Sequence, residues 1–226
     1  SGKFYGMTPY GGANDLGVLF EWDPATNIYT KKIDLDYTNG ANPRGPLTLR
    51  GDKFYGMTEL GGSNNQGLIF SINTDGTDYK ILQKFNSNTG FGPSYGALSI
   101  YEDQLIGSIN SGGTSNKGVL FSIKMDGTGF TKLIDFNNTN GASPFNSIIL
   151  SGNIIYGNTS VGGKYNYGLI YSIHVDGTNY KDLFHFSGAN GFQLFGGLLL
   201  SGNQLYGTAT QGGSNGSGTV YCVDTF

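Results

Sequence analysis

Cysteine is nearly absent from this sequence: Cys222 is the only one in 226 residues, so no disulfide can form within the chain. Standing between Tyr221 and Val223 in an apolar run, it reads as a small buried hydrophobe, not as a nucleophile. Charge is scarce as well. Lys, Arg, Asp and Glu make up 13% of residues and the formal net charge is −3, against a usual charged share of about 25%. No basic surface is available to neutralise a phosphate backbone, so nucleic acid is not an expected partner. No apolar run approaches ~18 residues and no charged segment leads into an apolar one at the N-terminus; neither membrane insertion nor a signal peptide is expected.

What the sequence does have is glycine and aromatics. Its 39 glycines lack the three-residue period of collagen and punctuate aromatic and β-branched runs, while 37% hydrophobic and 14% aromatic content suffices for a packed core. The punctuation is periodic. "FYGMT" stands at Phe4–Thr8 and again at Phe54–Thr58, and Tyr5, Tyr55, Ile106, Tyr156 and Tyr206 are each followed by glycine at a period of 50 with one insertion. A Gly-Gly pair follows in each copy, then a glycine that opens an apolar run such as "GLIFSI", then a turn, a second run such as "YKILQKF", a loop, and a short aliphatic run such as "PLTL" or "ALSI".

Those four runs of about 4–7 residues, β-rich and bounded by Gly, Asn and Asp, are strand signatures, and helical spacing is nowhere sustained. Asp75-Gly76, Asp126-Gly127 and Asp176-Gly177, together with the "SGN" strings at Ser151 and Ser201, supply the positive φ angles of tight hairpins, so neighbouring strands are antiparallel. A repeated unit of four antiparallel strands predicts an all-β fold, a β-propeller of about five blades from 50-residue repeats. The aliphatic run is assigned as innermost strand A, followed by the Tyr-Gly strand B, the Gly-led strand C and the outermost strand D. One domain is expected over 1–226, with repeats at 1–50, 51–100, 101–150, 151–200 and a partial copy at 201–226. The first blade lacks A and the last lacks D, so the first and last blades are incomplete; a five-bladed ring with two three-stranded blades is the expectation.

The glycine of strand B is predicted to lie where a neighbouring strand or blade approaches closely. The recurrent aromatics, among them Phe20, Phe70, Phe121 and Tyr171, read as packing between blades. On these residues the chain resembles the bacterial tandem repeat called GloVer, whose pattern "LYGTTxxGGxxGxGTVFxxxxDG" is legible at Leu205–Asp224 and Phe54–Gly76. The resemblance implies a propeller-like repeat of large secreted or surface-anchored proteins and carries over no functional residue. The third copy departs from it with "LIGSIN" at Leu105–Asn110, where weaker packing is expected.

Catalytic patterns are sparse. His174 and His185 fall in columns otherwise filled by Asp, Asn and Lys, as on a solvated strand face, and no Cys/His spacing suggests a metal or cofactor. "GSINSG" at Gly107–Gly112 is not a nucleophile elbow, and the Asp-Gly carboxylates are explained by turn chemistry. The long B–C and D–A loops share one face, and loops on a rigid scaffold are where function concentrates. They carry Tyr10, Asn14, Asn42, Arg44, Asn64, Tyr95, Asn116, Phe145, Tyr165, Tyr167 and Phe195, aromatic plates beside amides that suit sugar rings. The expected function is a non-enzymatic extracellular or cell-surface binding module, multivalent for glycans or surface polymers. A structural or adhesive spacer, with chain-to-chain association through the incomplete blades, is the alternative, and a hydrolase at the central channel stands last.

Overall fold

The computed structural model describes residues 2–93 and 95–226. Its described residues form five antiparallel sheets. The first contains β1 (Phe4–Thr8), β2 (Val18–Asp23) and β3 (Ile28–Asp34), and the second β4 (Thr48–Arg50), β5 (Lys53–Thr58), β6 (Leu68–Asn73) and β7 (Lys80–Lys84). The third has β8 (Ser99–Tyr101), β9 (Gln104–Ile109), β10 (Val119–Lys124) and β11 (Thr131–Asp135). The fourth has β12 (Ile149–Ser151), β13 (Ile154–Thr159), β14 (Leu169–His174) and β15 (Lys181–His185), and the fifth β16 (Leu199–Ser201), β17 (Gln204–Ala209) and β18 (Thr219–Asp224). The A-B-C-D order holds in every complete blade. Among the described residues no helix is long and apolar enough to cross a membrane.

The A strands form the inner edge, because each bonds the residue that leads into the next blade's A strand: Thr48 Oγ1 donates to Leu98 O at 2.5 Å and Ser99 Oγ to Ile148 O at 3.5 Å. Two-residue turns link A to B, with positive φ at Gly51, Glu102, Gly152 and Gly202. The Asp-Gly pairs do not make the tight hairpin the sequence suggests. Six residues separate β6 from β7; Gly76 takes φ 95°, while Asp75 instead accepts the Thr77 amide at 2.9 Å and hydroxyl at 2.7 Å. Asp126 and Asp176 do the same with Thr128 and Thr178, and these hydroxyl bonds hold all three carboxyls below their usual range.

Each strand-B glycine faces the aromatic ring of its cross-strand partner on strand C. A Cβ on Gly56 would stand 2.6 Å from Phe70, one on Gly107 2.7 Å from Phe121, and one on Gly157 2.3 Å from Tyr171. Leu47 and Leu98, one residue before β4 and β8, stand 3.2 and 2.9 Å from the same added Cβ on Gly56 and Gly107. With those faces flat, consecutive blades stack. Leu105, Ile109, Val119, Phe121 and Ile123 of blade three pack on Tyr55, Met57, Ile69 and Phe85 of blade two, and similar clusters join the other neighbours. The third copy is not weakened: Leu105, Ile106 and Ile109 are fully buried, with Ile106 standing where the other copies have Tyr and Ile109 where they have Thr or Ala.

No cluster joins the first blade to the fifth among the described residues, so the expected ring lacks a packed seam. On the first blade Phe4 is 60% exposed where Phe54, Leu105 and Ile155 are buried; on the fifth Val220 is 81% exposed where Leu19, Ile69, Leu120 and Ile170 are buried. Cys222, expected to be buried, is exposed for the same reason: it lies on the uncovered face of the last blade, at the position of buried Ser71, Ser122 and Ser172.

Blade one holds a buried carboxylate at that same position. Glu21 pairs with Lys3 at 2.5 Å and Lys32 at 2.8 Å, and these bonds, Lys3 first, pull its carboxyl down to about 2. Because the folded value lies below the ordinary one of 4.5, the pairing stabilises the fold above that pH and its contribution is lost as pH falls towards about 2. Urea titrations at pH 5 and pH 3 should show a smaller acid-induced loss of stability in Glu21→Gln than in the parent; equal losses would remove Glu21 from the account. Gly107→Ala should destabilise by about 1–3 kcal/mol through overpacking against Phe121. Gly197→Ala, whose Cβ meets nothing within 4 Å, should be neutral or up to about 1 kcal/mol stabilising in the same assay.

Candidate functional site

The D–A loop of each blade is welded to the B–C loop of the next. Ala41 and Leu60 exchange backbone hydrogen bonds at 2.9 and 3.0 Å, and Phe91–Ser111, Ala142–Val161 and Phe192–Gln211 repeat the bridge. Besides its repeated glycines, each B–C loop holds a further residue with positive φ: Asp15, Asn65, Asn116, Asn166 and Gly216, at 52–71°. The four side chains accept the amide of the first glycine of the Gly-Gly pair, as Asn116 does from Gly112 at 3.0 Å. Only residues that tolerate the left-handed region fill that column.

Several predicted ligand residues are therefore engaged with the backbone. Asn116 forms its own turn, the Asn14 amide donates to Leu35 O at 2.9 Å, and the Asn42 amide donates to Pro9 O at 2.9 Å from a buried position. Asn64 lies exposed on the loop surface. Tyr10 is exposed on the first loop; Tyr165 is exposed with the Lys164 ammonium 5.1 Å from its ring centre. Tyr167 packs edge-on against Phe192, centroids 5.2 Å apart. These residues are distributed over four blades, and Tyr10 approaches the Arg44 side chain.

Three others converge. Tyr95, Phe145 and Phe195 occupy the same position, just before strand A, in three successive blades, and line a cup of about 320 Å³ with Asn146. The Phe145 and Phe195 rings meet edge to face at 5.3 Å, while Tyr95 and Phe195 are 56% and 46% exposed. Arg44 holds the same position one blade earlier. There it is ion-paired with Glu59, whose carboxylate holds the guanidinium above its usual range. A smaller groove of about 280 Å³ flanks the same D–A loop as Tyr95, lined by Glu59, Asn65, Gln66, Phe91 and Asn110 among others.

Asn146 holds the cup together. Its amide donates to Leu194 O and Gly196 O, both at 3.0 Å, and Ser108 Oγ donates to Asn146 O at 2.9 Å, so one residue ties three blades. Buried Asn158 adds a bond to Gly196 O at 3.1 Å. Sequence reasoning missed Asn146. Its signal was a lone amide in a column otherwise made of Gly45, Gly96 and Gly196.

His185 braces a loop of its own blade. Its Nδ1 accepts the Lys164 amide at 3.2 Å, as Asp34 and Asp135 accept the equivalent amides in their blades. Among the described residues no group of three or more His, Cys, Asp or Glu could hold a metal ion.

No curated protein matches the chain. Among solved structures it is similar to the Niastella koreensis GH74 enzyme (TM-score 0.65, 13% identity, 99% of this chain and 35% of that one). TolB from Acinetobacter baumannii (0.58, 10%, 93% and 46%) and a chain of a nidogen/laminin complex (0.57, 16%, 86% and 65%) resemble it as well. At such identities the likeness shows the propeller fold alone, and the chain spans less than two thirds of each of these three. The repeat family described as Gloeobacter/Verrucomicrobia repeat matches residues 1–160, and β14 to β18 continue the same strand order to the end. With most of its length matched, the chain belongs to the Gloeobacter/Verrucomicrobia repeat family.

Proposed function

We propose that this chain is a non-enzymatic binding module of the cell exterior whose loop face takes a glycan in the aromatic cup. The observation that carries the reading is the convergence of Tyr95, Phe145 and Phe195 around one apolar cavity, with two of the rings substantially exposed. Sugar rings present CH faces that stack on such plates, and their hydroxyls find polar partners at the rim; a mostly apolar cavity with few placed polar groups is the usual form of a small-ligand site. In this reading the multivalency expected from the repeat gives way to one site, because the column reads Arg, Tyr, Phe, Phe and only the last three form the cup. A hydrolase of sugars needs two carboxylates at a shared cavity, and this cavity is lined by three rings and an amide.

The spacer reading draws support from the loop amides already committed to turns. Calorimetric titration of the folded chain with soluble cello-, xylo-, manno- and chito-oligosaccharides separates the two. The binding reading predicts one ligand per chain, with affinity lowered about ten-fold by Phe195→Ala or Tyr95→Ala, roughly 1.4 kcal/mol, and unchanged by Tyr165→Ala. Absence of binding across the panel, with the chain folded, favours the spacer.

A further inference from the structure

Independently of the glycan reading, the face that carries the short turns holds a cleft between blades two and three. It measures about 370 Å³, a size suited to a small ligand. Lys53 and Tyr55 of β5, Ser71 of β6, and Lys80 and Leu82 of β7 form one wall, and Met125 of the next blade's C–D turn forms another. Two hydroxyls in it are left over. Tyr55 and Ser71 are only 5% and 3% exposed, and neither hydroxyl has a hydrogen-bond partner among the described residues. Buried polar groups are normally satisfied, so such a pair marks room for a further partner.

The preceding interface shows what fits there. Tyr5 faces Glu21 across the first blade as Tyr55 faces Ser71 across the second, so Lys3, Tyr5 and Glu21 stand where Lys53, Tyr55 and Ser71 do. By the same register Lys32 stands where Leu82 does. In blade one the Glu21 carboxylate occupies the space, held by Lys3 at 2.5 Å and Lys32 at 2.8 Å; burial first, and then that carboxylate, push the Tyr5 hydroxyl above its ordinary range. Blade two keeps the first lysine and the tyrosine but exchanges Glu21 for Ser71 and Lys32 for Leu82. The carboxylate is gone and two of its partners remain.

We propose that this cleft binds a small carboxylate with an apolar body, the carboxylate lying where Glu21 lies one interface earlier. Lys53 spends two of its three N–H donors, on Asn73 Oδ1 at 2.8 Å and Asp78 Oδ2 at 2.6 Å, and keeps one. Ser71 and Tyr55 add hydroxyl donors, and Lys80, 3.2 Å from Asp78, adds a second ammonium. Of the two acidic side chains nearby, Asp78 lies between the lysines and Asp126 is engaged by the Thr128 amide and hydroxyl at 2.8 and 2.7 Å. Leu82 and Met125 supply the apolar wall for the ligand's body.

The test titrates the whole chain with butyrate, hexanoate, benzoate and phenylacetate, and with the matching carboxamides, following backbone amide nuclear magnetic resonance signals. The proposal predicts saturable shifts centred on Tyr55, Ser71 and Met125, with the carboxamides about ten-fold weaker for want of charge-assisted bonds. Ser71→Glu should abolish binding by restoring an internal carboxylate, and Lys53→Met should weaken it about ten-fold. Lys181→Met, in the column of Lys80 two blades on, should leave it unchanged. Thermal unfolding checks that each variant folds; if Ser71→Glu does not, Lys53→Met and Tyr55→Phe decide, the latter with an expected loss of about five-fold. Absence of shifts with every acid would make the cleft a water-filled gap and overturn the proposal. Equal binding of acids and carboxamides, shifts centred elsewhere, or binding that survives in a folded Ser71→Glu or Lys53→Met chain would overturn it as well.

Discussion

The contact between a strand-B glycine and the ring opposite it on strand C governs the rest of this structure. Without a Cβ at Gly56 or Gly107, the ring of Phe70 or Phe121 occupies the space over the neighbouring strand that the Cβ would take. That gives each blade a level apolar face of nearly constant shape, a large dispersion surface that the next blade meets in turn. The partner residue tolerates variation so long as it is a ring: Phe in three blades, Tyr171 and Tyr221 in the last two. Glycine does not vary at all in this column. Because the stack is held through the faces, the loop ends are relieved of packing duty and can differ from blade to blade.

They differ less freely than loops usually do. Each D–A loop is bonded to the neighbouring B–C loop, and the Gly-Gly pair with its Asn or Asp five-residue turn repeats in four of the five copies. Among the positions that vary are the two that precede strand A, Arg44-Gly45, Tyr95-Gly96, Phe145-Asn146 and Phe195-Gly196. Three rings gathered there, fixed from beneath by Asn146 and Asn158, make a rigid apolar cup on an otherwise amide-rich surface. A preorganised cup loses little entropy on binding, which is where a small rigid ligand gains affinity.

The strands, their order and the role of the repeated glycine were legible in the sequence because each is a column occupied alike in every copy. Burial at the ends was not: Cys222 sits in an apolar run yet is exposed, since burial there depends on a neighbouring blade that the run itself does not specify. The site was half legible. Tyr95, Phe145 and Phe195 stand out as aromatics in a loop column, whereas Asn14, Asn42 and Asn116 looked like sugar-binding amides and are backbone ligands. Asparagine serves both purposes with the same atoms. The column itself held the discriminating sign, for Gly216 replaces Asn116 and Asn166 in the last copy, which marks a demand for positive φ and not for an amide.

The central functional claim is that one cup at the inner edge, not a set of equivalent inter-blade loops, receives the ligand. The measurement that tests it most directly is an amide nuclear magnetic resonance titration with the oligosaccharide that binds, following every assigned backbone signal at once. The account predicts shifts concentrated at Tyr95, Phe145, Asn146 and Phe195, saturating together. Comparable shifts at the loops of Asn64, Asn116 and Tyr165, with the cup unmoved, would contradict it.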